Sequence, residues 1–245
     1  MAEIDVVEKR PRGRPPTRTD EETRHLIAEA ARREFTAKGY AGACIDEVAK
    51  GAGVSKKTLY RLVPAKAELF KASVTDRIAQ FLLAVDEETI GSLDLVAALE
   101  RLVTEFGNLT LSRETIATQK LVIAESDRFP ELARTFYAEA IQKTQAVLAK
   151  YLARQCELGV IVLDDPVAAA GMLRGMMILE PQRAVMMGCG AVPSEAEIAS
   201  RARACVGLFL RGCAKEPSRP TSGAEGTSPA GRETGRNEQE TANAC

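Results

Sequence analysis

A chain of 245 residues with 45% hydrophobic side chains is long enough for one large domain or two small ones, and apolar enough for a real core. No apolar run approaches the ~20 residues of a membrane span, and the N-terminus lacks the apolar stretch of a signal peptide, so the reading is cytoplasmic with no membrane partner. The six cysteines include no C-x-x-C and the lone histidine is His25, which argues against a zinc site and leaves no metal or cofactor expected.

The formal charge of −1 hides an asymmetry: Lys9 to Gln80 carries sixteen Lys/Arg against nine Asp/Glu, and residues 81–245 carry seventeen against twenty-two. Basic residues cluster in the opening KRPRGRPPTR and again as Lys50, Lys56, Lys57, Arg61 and Lys66, a stretch free of acids before Glu68. Two such patches in one short segment suit a polyanion, nucleic acid above all. Arg12-Gly13-Arg14-Pro15 has the R-G-R-P core of an AT-hook, whose glycine lets the backbone lie in a narrow minor groove while Arg12 and Arg14 reach into its negative potential. Residues 1–19 are therefore read as a disordered basic arm.

The chain is then helical throughout. Ile27, Ala30, Ala31 and Phe35 form the stripe of an amphipathic helix from about Asp20 to Gly39. Ile45, Val48, Ala49 and Ala52 repeat it over barely two turns, and Gly53 supplies the positive φ of a sharp stop. Ser55 caps a third helix, leaving Lys56, Lys57 and Thr58 in its exposed first turn and Leu59 facing inward. Short helix, glycine turn and short helix make a helix-turn-helix, whose second helix presents free N–H groups and two lysines to phosphate.

A fourth helix runs from about Ala65 into the eighties, and five more are expected between turn signals at Ile90-Gly91-Ser92, Gly107-Asn108, Arg128-Phe129-Pro130, Leu158-Gly159, Asp164-Asp165-Pro166 and Gly188 to Pro193. Pro166 suits a first helical turn after an Asp cap, and Ser194 with Glu197 forms a capping box. Residues 214–245 hold Pro, Gly, Ser, Thr, Glu and Arg with almost nothing apolar, and read as a disordered tail.

The stretch GACIDEVAKGAGVSKKTLYRLVPAKAELF, residues 42–70, preceded by AEAARREFTAKGY, resembles the DNA-binding domain of TetR-family transcriptional regulators. LVIAESDRFPELARTFYAEA, residues 121–140, with DDPVAAAGMLRGM, is similar to the AefR-like type of C-terminal domain in that family. The resemblance implies an all-α protein with an N-terminal three-helix helix-turn-helix DNA-binding domain, residues 20–70, and a larger helical ligand-binding and dimerisation domain, residues 71–213. It implies double-stranded DNA, a palindromic operator, as partner; homodimer formation through the last two helices; and a small-molecule effector, lipophilic by family analogy.

The residues carried over for DNA contact are Cys44, Ser55, Lys56, Lys57, Thr58, Tyr60, Arg61 and Lys66. Cys44 stands where the family often has threonine, Leu62-Val63 where an aromatic or histidine pair is usual, and Ala65 where a cap is usual. Each swap removes a polar contact, a lost cap costing ~1 kcal/mol. The helices that surround the family's cavity carry Phe106, Ile116, Gln119, Lys120, Ile123, Phe136, Met172 and Met176. Ile198, Ala202, Cys205 and Phe209 form a stripe on the last helix that either packs within the subunit or joins Met172 in a dimer interface.

Three other readings remain open. An enzyme is disfavoured by one histidine, no G-x-S-x-G, no phosphate-binding glycine loop and no metal spacing. An architectural protein using only the R-G-R-P arm would not discriminate an operator from random A·T-rich DNA. A redox-sensing regulator would use Cys205 and Cys213, eight residues apart on one helix.

Overall fold

The computed structural model describes residues 18–212. These are helical, with no strand among them. None of the described helices is long and apolar enough to cross a membrane. The arm with Arg12 and Arg14, the tail and Cys213 lie outside the described residues.

Four helices build the N-terminal part. Helix α1 (Asp20–Gly42) starts from a capping box between Thr19 and Glu22 and breaks at Gly39, whose φ of 72° only glycine adopts without strain. Helix α2 (Ile45–Gly51) starts from Cys44, which makes no side-chain cap. Helix α3 (Lys56–Leu62) follows the Gly53 turn, φ 66°, and Ser55 Oγ accepts from Thr58 N at 3.0 Å. Helix α4 (Lys66–Ala84) starts at Ala65, again without a cap. Ile27, Ala31, Phe35, Val48, Leu59, Leu69 and Phe70 fuse α1 to α4 into one core. Leu59, with no exposed surface, contributes ~1.5–3 kcal/mol by its burial alone.

Beyond α4 the expected turns are only partly turns. Ile90-Gly91 close a short helix α5 (Glu87–Gly91) on an Asp86 cap, whose five residues were too few for periodicity to reveal. Gly107-Asn108 lie inside helix α6 (Leu95–Thr110). That glycine serves close approach instead: a Cβ there would press on Met177 Cε and stand 2.8 Å from Ile198 Cγ2. Helix α7 (Arg113–Glu125) is capped by Ser112. Helix α8 (Pro130–Phe136) continues through a π-helical turn (Tyr137–Gln142) into helix α9 (Lys143–Glu157). Helix α10 (Pro166–Met186) has the Asp165 cap and N-terminal Pro166 read from the sequence. Helix α11 (Glu195–Gly212) follows the Ser194–Glu197 box.

A second core joins Leu99, Leu102, Phe106, Leu152, Leu173, Met177 and Val206. The change from one core to the other falls within α4, with Val74 in the first and Phe81 in the second. Val122, Leu132 and Phe136 of α7 and α8 belong to the first core, so the helix-turn-helix is completed by residues far downstream.

Gly107→Val fills the α6–α10–α11 contact and is expected to destabilise the protein by about 2 kcal/mol, read from the midpoint of urea unfolding.

Candidate nucleic-acid interface and ligand cavity

Helix α3 presents one side to the core through Leu59 and Leu62 and the other to solvent. On the open side stand Lys57 and Tyr60, the latter 47% exposed. Thr58 Oγ1 lies 2.8 Å from Ser55 Oγ. Three other cations of the segment are already engaged by acids of α1 and α2. Lys56 pairs with Asp46 of α2, Lys50 with Glu47, and both Arg61 Nη atoms donate to Asp20 of α1 at 2.8 and 2.7 Å. These contacts hold Asp20 below the usual carboxylate range and raise Lys56 and Arg61.

Lys66 is also engaged: Nζ donates to Ala41 O at 3.1 Å and lies 5.2 Å from the Tyr40 ring centroid. Cys44 is exposed at the start of α2, and its N–H donates to Glu34 Oε1 at 3.2 Å. Thus Cys44, Ser55, Lys56, Lys57, Thr58, Tyr60 and Arg61 share the α2–α3 region, and Lys66 faces the joint of α1 and α2. The carboxylates that meet Lys56 and Arg61 were missed because Asp46 and Asp20 lie ten and forty-one positions away.

Behind the helix-turn-helix lies a cavity of about 230 Å³ between α1, α4, α6, α7, the α8–α9 helix and α10. Its walls include Val74, Ile78, Phe106, Phe136, Ile141 and Ile178, with Gln119, Thr118 and Thr144 among the polar groups. Of the sequence-derived set, Phe106, Gln119 and Phe136 line it. Ile116 is buried but not in the lining, and Lys120, Ile123, Met172 and Met176 stand on exposed faces, Ile123 at 66%. Helix phase explains this: facing residues recur every three or four positions, so the α7 face with Thr115, Thr118 and Gln119 excludes Lys120 and Ile123.

Three arginines missed by that set reach the cavity: Arg32, Arg77 and Arg174. Arg32 is matched by Asp76 at 3.0 Å. Arg77 donates to Ser112 Oγ at 2.9 Å and leaves Nε without a partner. Burial, with Arg32 nearby, lowers its pKa. Arg174 stacks 4.6 Å from the Phe106 centroid, and burial brings its pKa down to about 10. Arginine on a helix reads as a solvated residue unless the opposing surface is known, which is why the pattern hid them.

The stripe Ile198, Ala202, Cys205 and Phe209 packs into the second core of its own subunit, against α6 and α10. The apolar residues left open on the last two helices are instead Val167, Met172, Met176, Leu179 and Leu208. Burial pushes the Cys205 thiol up, which keeps it protonated. Among the described residues no group of three His, Cys, Asp or Glu could hold a metal.

A carboxylate links cavity to helix-turn-helix. Glu125, at the end of α7, accepts from Tyr40 N at 2.7 Å and Ala41 N at 3.3 Å. Tyr40 packs edge-on to Phe129, centroids 5.1 Å apart. Glu125→Ala strands both amides and is expected to cost about 1–3 kcal/mol, with faster hydrogen exchange at Tyr40 and Ala41 as the direct readout.

Two family profiles match the chain: "Bacterial regulatory proteins, tetR family" over residues 27–73 and "AefR-like transcriptional repressor, C-terminal domain" over residues 97–213. The HTH-type transcriptional regulator YhgD of Bacillus subtilis is 30% identical over 135 residues, 55% of this chain and 68% of that protein. A TetR-family regulator from Mesorhizobium loti superposes with a TM-score of 0.67 at 28% identity, over 79% of this chain and 98% of that one. The flavonoid-responsive regulator FrrA superposes at 0.62 and 26% identity, over 81% of this chain and 100% of its own.

Proposed function

The chain belongs to the TetR family of DNA-binding transcriptional regulators, and we propose that it acts as a homodimeric repressor released from a palindromic operator by a small-molecule effector. The observation that carries this reading is α3: a short helix fixed by Leu59 and Leu62 on one side, with Lys57 and Tyr60 open on the other. A helix so mounted enters a major groove, Lys57 donating to guanine O6 or N7 or to phosphate and the Tyr60 hydroxyl donating to phosphate.

Two copies set successive major grooves, ~34 Å apart, by pairing about a two-fold axis. The face for that pairing is the exposed apolar surface of α10 and α11, with Met172, Leu179 and Leu208. The first nineteen residues add the minor-groove arm, Arg12 and Arg14.

An effector fits the scheme through α7. Its Thr115, Thr118 and Gln119 face the cavity and its last residue, Glu125, holds the joint of α1 and α2. A ligand that shifts α7 carries the helix-turn-helix with it and favours a spacing that no longer suits the operator. A coupling of ~1–3 kcal/mol suffices for release. FrrA, alike in fold and 26% identical, is flavonoid-responsive, which supports control by a small molecule here.

The test is a mobility shift and footprint on DNA upstream of the chain's own coding sequence and on duplexes selected from a random pool, with nonspecific competitor at stated salt. A discrete palindromic footprint is expected, abolished by Lys57→Ala with Tyr60→Ala and weakened by Arg12→Ala with Arg14→Ala. Uniform, salt-sensitive coating of every duplex overturns operator recognition.

Asp46→Asn releases Lys56 for phosphate; operator affinity is expected to rise several-fold and the salt dependence to steepen by about one unit of log K against log salt, as a salt titration of the same complex will measure.

A further inference from the structure

We propose that the effector is a small organic carboxylate with an apolar body, and that Arg174 is the residue that reads its charge. The regulatory consequence rests on the effector reading above; the binding site does not.

Arg174 has only neutral neighbours. Nη1 donates to Gln145 Oε1 at 3.2 Å, Nη2 to Thr144 Oγ1 at 3.4 Å, and the guanidinium stacks on Phe106, while Nε has no hydrogen-bond partner. Among the described residues no carboxylate forms an ion pair with Arg174 or with Arg77 in the same cavity. Contrast Arg32, which lines the same space and is matched by Asp76. The one acid of the lining, Glu114, stands exposed in the first turn of α7; its charge acts on Arg77 at longer range, but it forms an ion pair with neither arginine.

Positive charge is therefore left over in a half-open, mostly apolar cavity. Burial lowers the pKa of Arg174 only to about 10, so at neutral pH it remains a cation. A desolvated cation without a counter-charge is unfavourable, and an anion that enters the cavity removes that penalty as it binds. The planar guanidinium fork favours a planar carboxylate over a spherical ion. Val74, Ile78, Phe136 and Ile178 offer walls for an apolar body. The volume, about 230 Å³, is below the ~300–1,000 Å³ usual for ligand pockets, so the part of the occupant held inside is a short chain or a single ring. An alcohol of the same shape would fill the walls and leave Arg174 as it found it, and a bare anion would meet Arg174 and leave the walls empty.

The experiment is a calorimetric titration of the full-length protein, without DNA, with octanoate, 1-octanol and acetate, on wild type, Arg174→Met and Arg174→Lys. Octanoate is expected to bind about tenfold or more tightly than 1-octanol and acetate. Arg174→Met should bring octanoate to the level of 1-octanol, and Arg174→Lys should keep part of the preference.

Equal binding of octanoate and 1-octanol, no octanoate binding at all, or an Arg174→Met protein that binds octanoate as well as wild type overturns the proposal. Should Arg174→Met fail to fold, the wild-type comparison and Arg174→Lys decide it. Operator binding is measured separately on the same preparation. Arg174-dependent octanoate binding by a protein that leaves no footprint keeps the site and sinks the regulatory reading, and a footprint with no carboxylate preference does the reverse.

Discussion

The Glu125 carboxylate is the tie on which the arrangement of this molecule depends. It reaches back across the chain to two backbone amides, Tyr40 and Ala41, at the joint between the first two helices. The contact exists because Gly39 has no side chain: a Cβ there would stand 2.7 Å from Glu125 Oε1, and φ of 72° excludes most other residues in any case. Around this polar point Phe35, Tyr40, Phe70 and Phe129 pack ring against ring. Helix α7 thereby touches both regions, lining the cavity with Thr115, Thr118 and Gln119 and holding the end of α1 through Glu125.

Charge is handled in opposite ways at the helix-turn-helix surface and in the cavity. At the surface near α3, cations that look free in sequence are met by acids from other helices, Lys56 by Asp46 and Arg61 by Asp20. Such exposed pairs are worth little to stability, and they lower the positive field displayed there. In the cavity the reverse holds. Arg174 is largely withdrawn from water and given only a hydroxyl, an amide and a ring, while Arg77 donates to a hydroxyl and has Glu114 and Asp76 near it but an ion pair with neither. One site is moderated and the other is left wanting.

Local patterns were legible because their causes are local. The Ser55 cap, the Gly53 turn, the Asp165–Pro166 start and the Ser194–Glu197 box involve residues within three or four positions of one another. What stayed hidden depends on distant partners or on helix phase. Nothing in Gly107 announces that it admits Met177 and Ile198 rather than ending a helix. Nothing in the stripe of Ile198, Ala202, Cys205 and Phe209 says whether its partner surface belongs to the same subunit, as it does.

The π-helical turn is the clearest case of hidden phase. Leu132, Phe136, Thr144, Leu148 and Leu152 are buried at intervals of four or eight. At 3.6 residues per turn each step of four drifts by about 40°, so a straight α-helix would carry such a row round to its far side. The wide turn at Tyr137–Gln142 takes up the drift, and one continuous helix serves the first core through Leu132 and Phe136 and the second through Leu148 and Leu152.

The pairing of Lys56 and Arg61 also bears on how such a protein would search a chromosome. Hold on arbitrary duplex comes from counterions released by unmatched cations. With those two side chains already matched, and Lys57 left to reach out, each wrong stretch of DNA is gripped weakly and left quickly. Time lost on the millions of competing sites is what delays arrival at the right one, so the two aspartates trade tightness for speed.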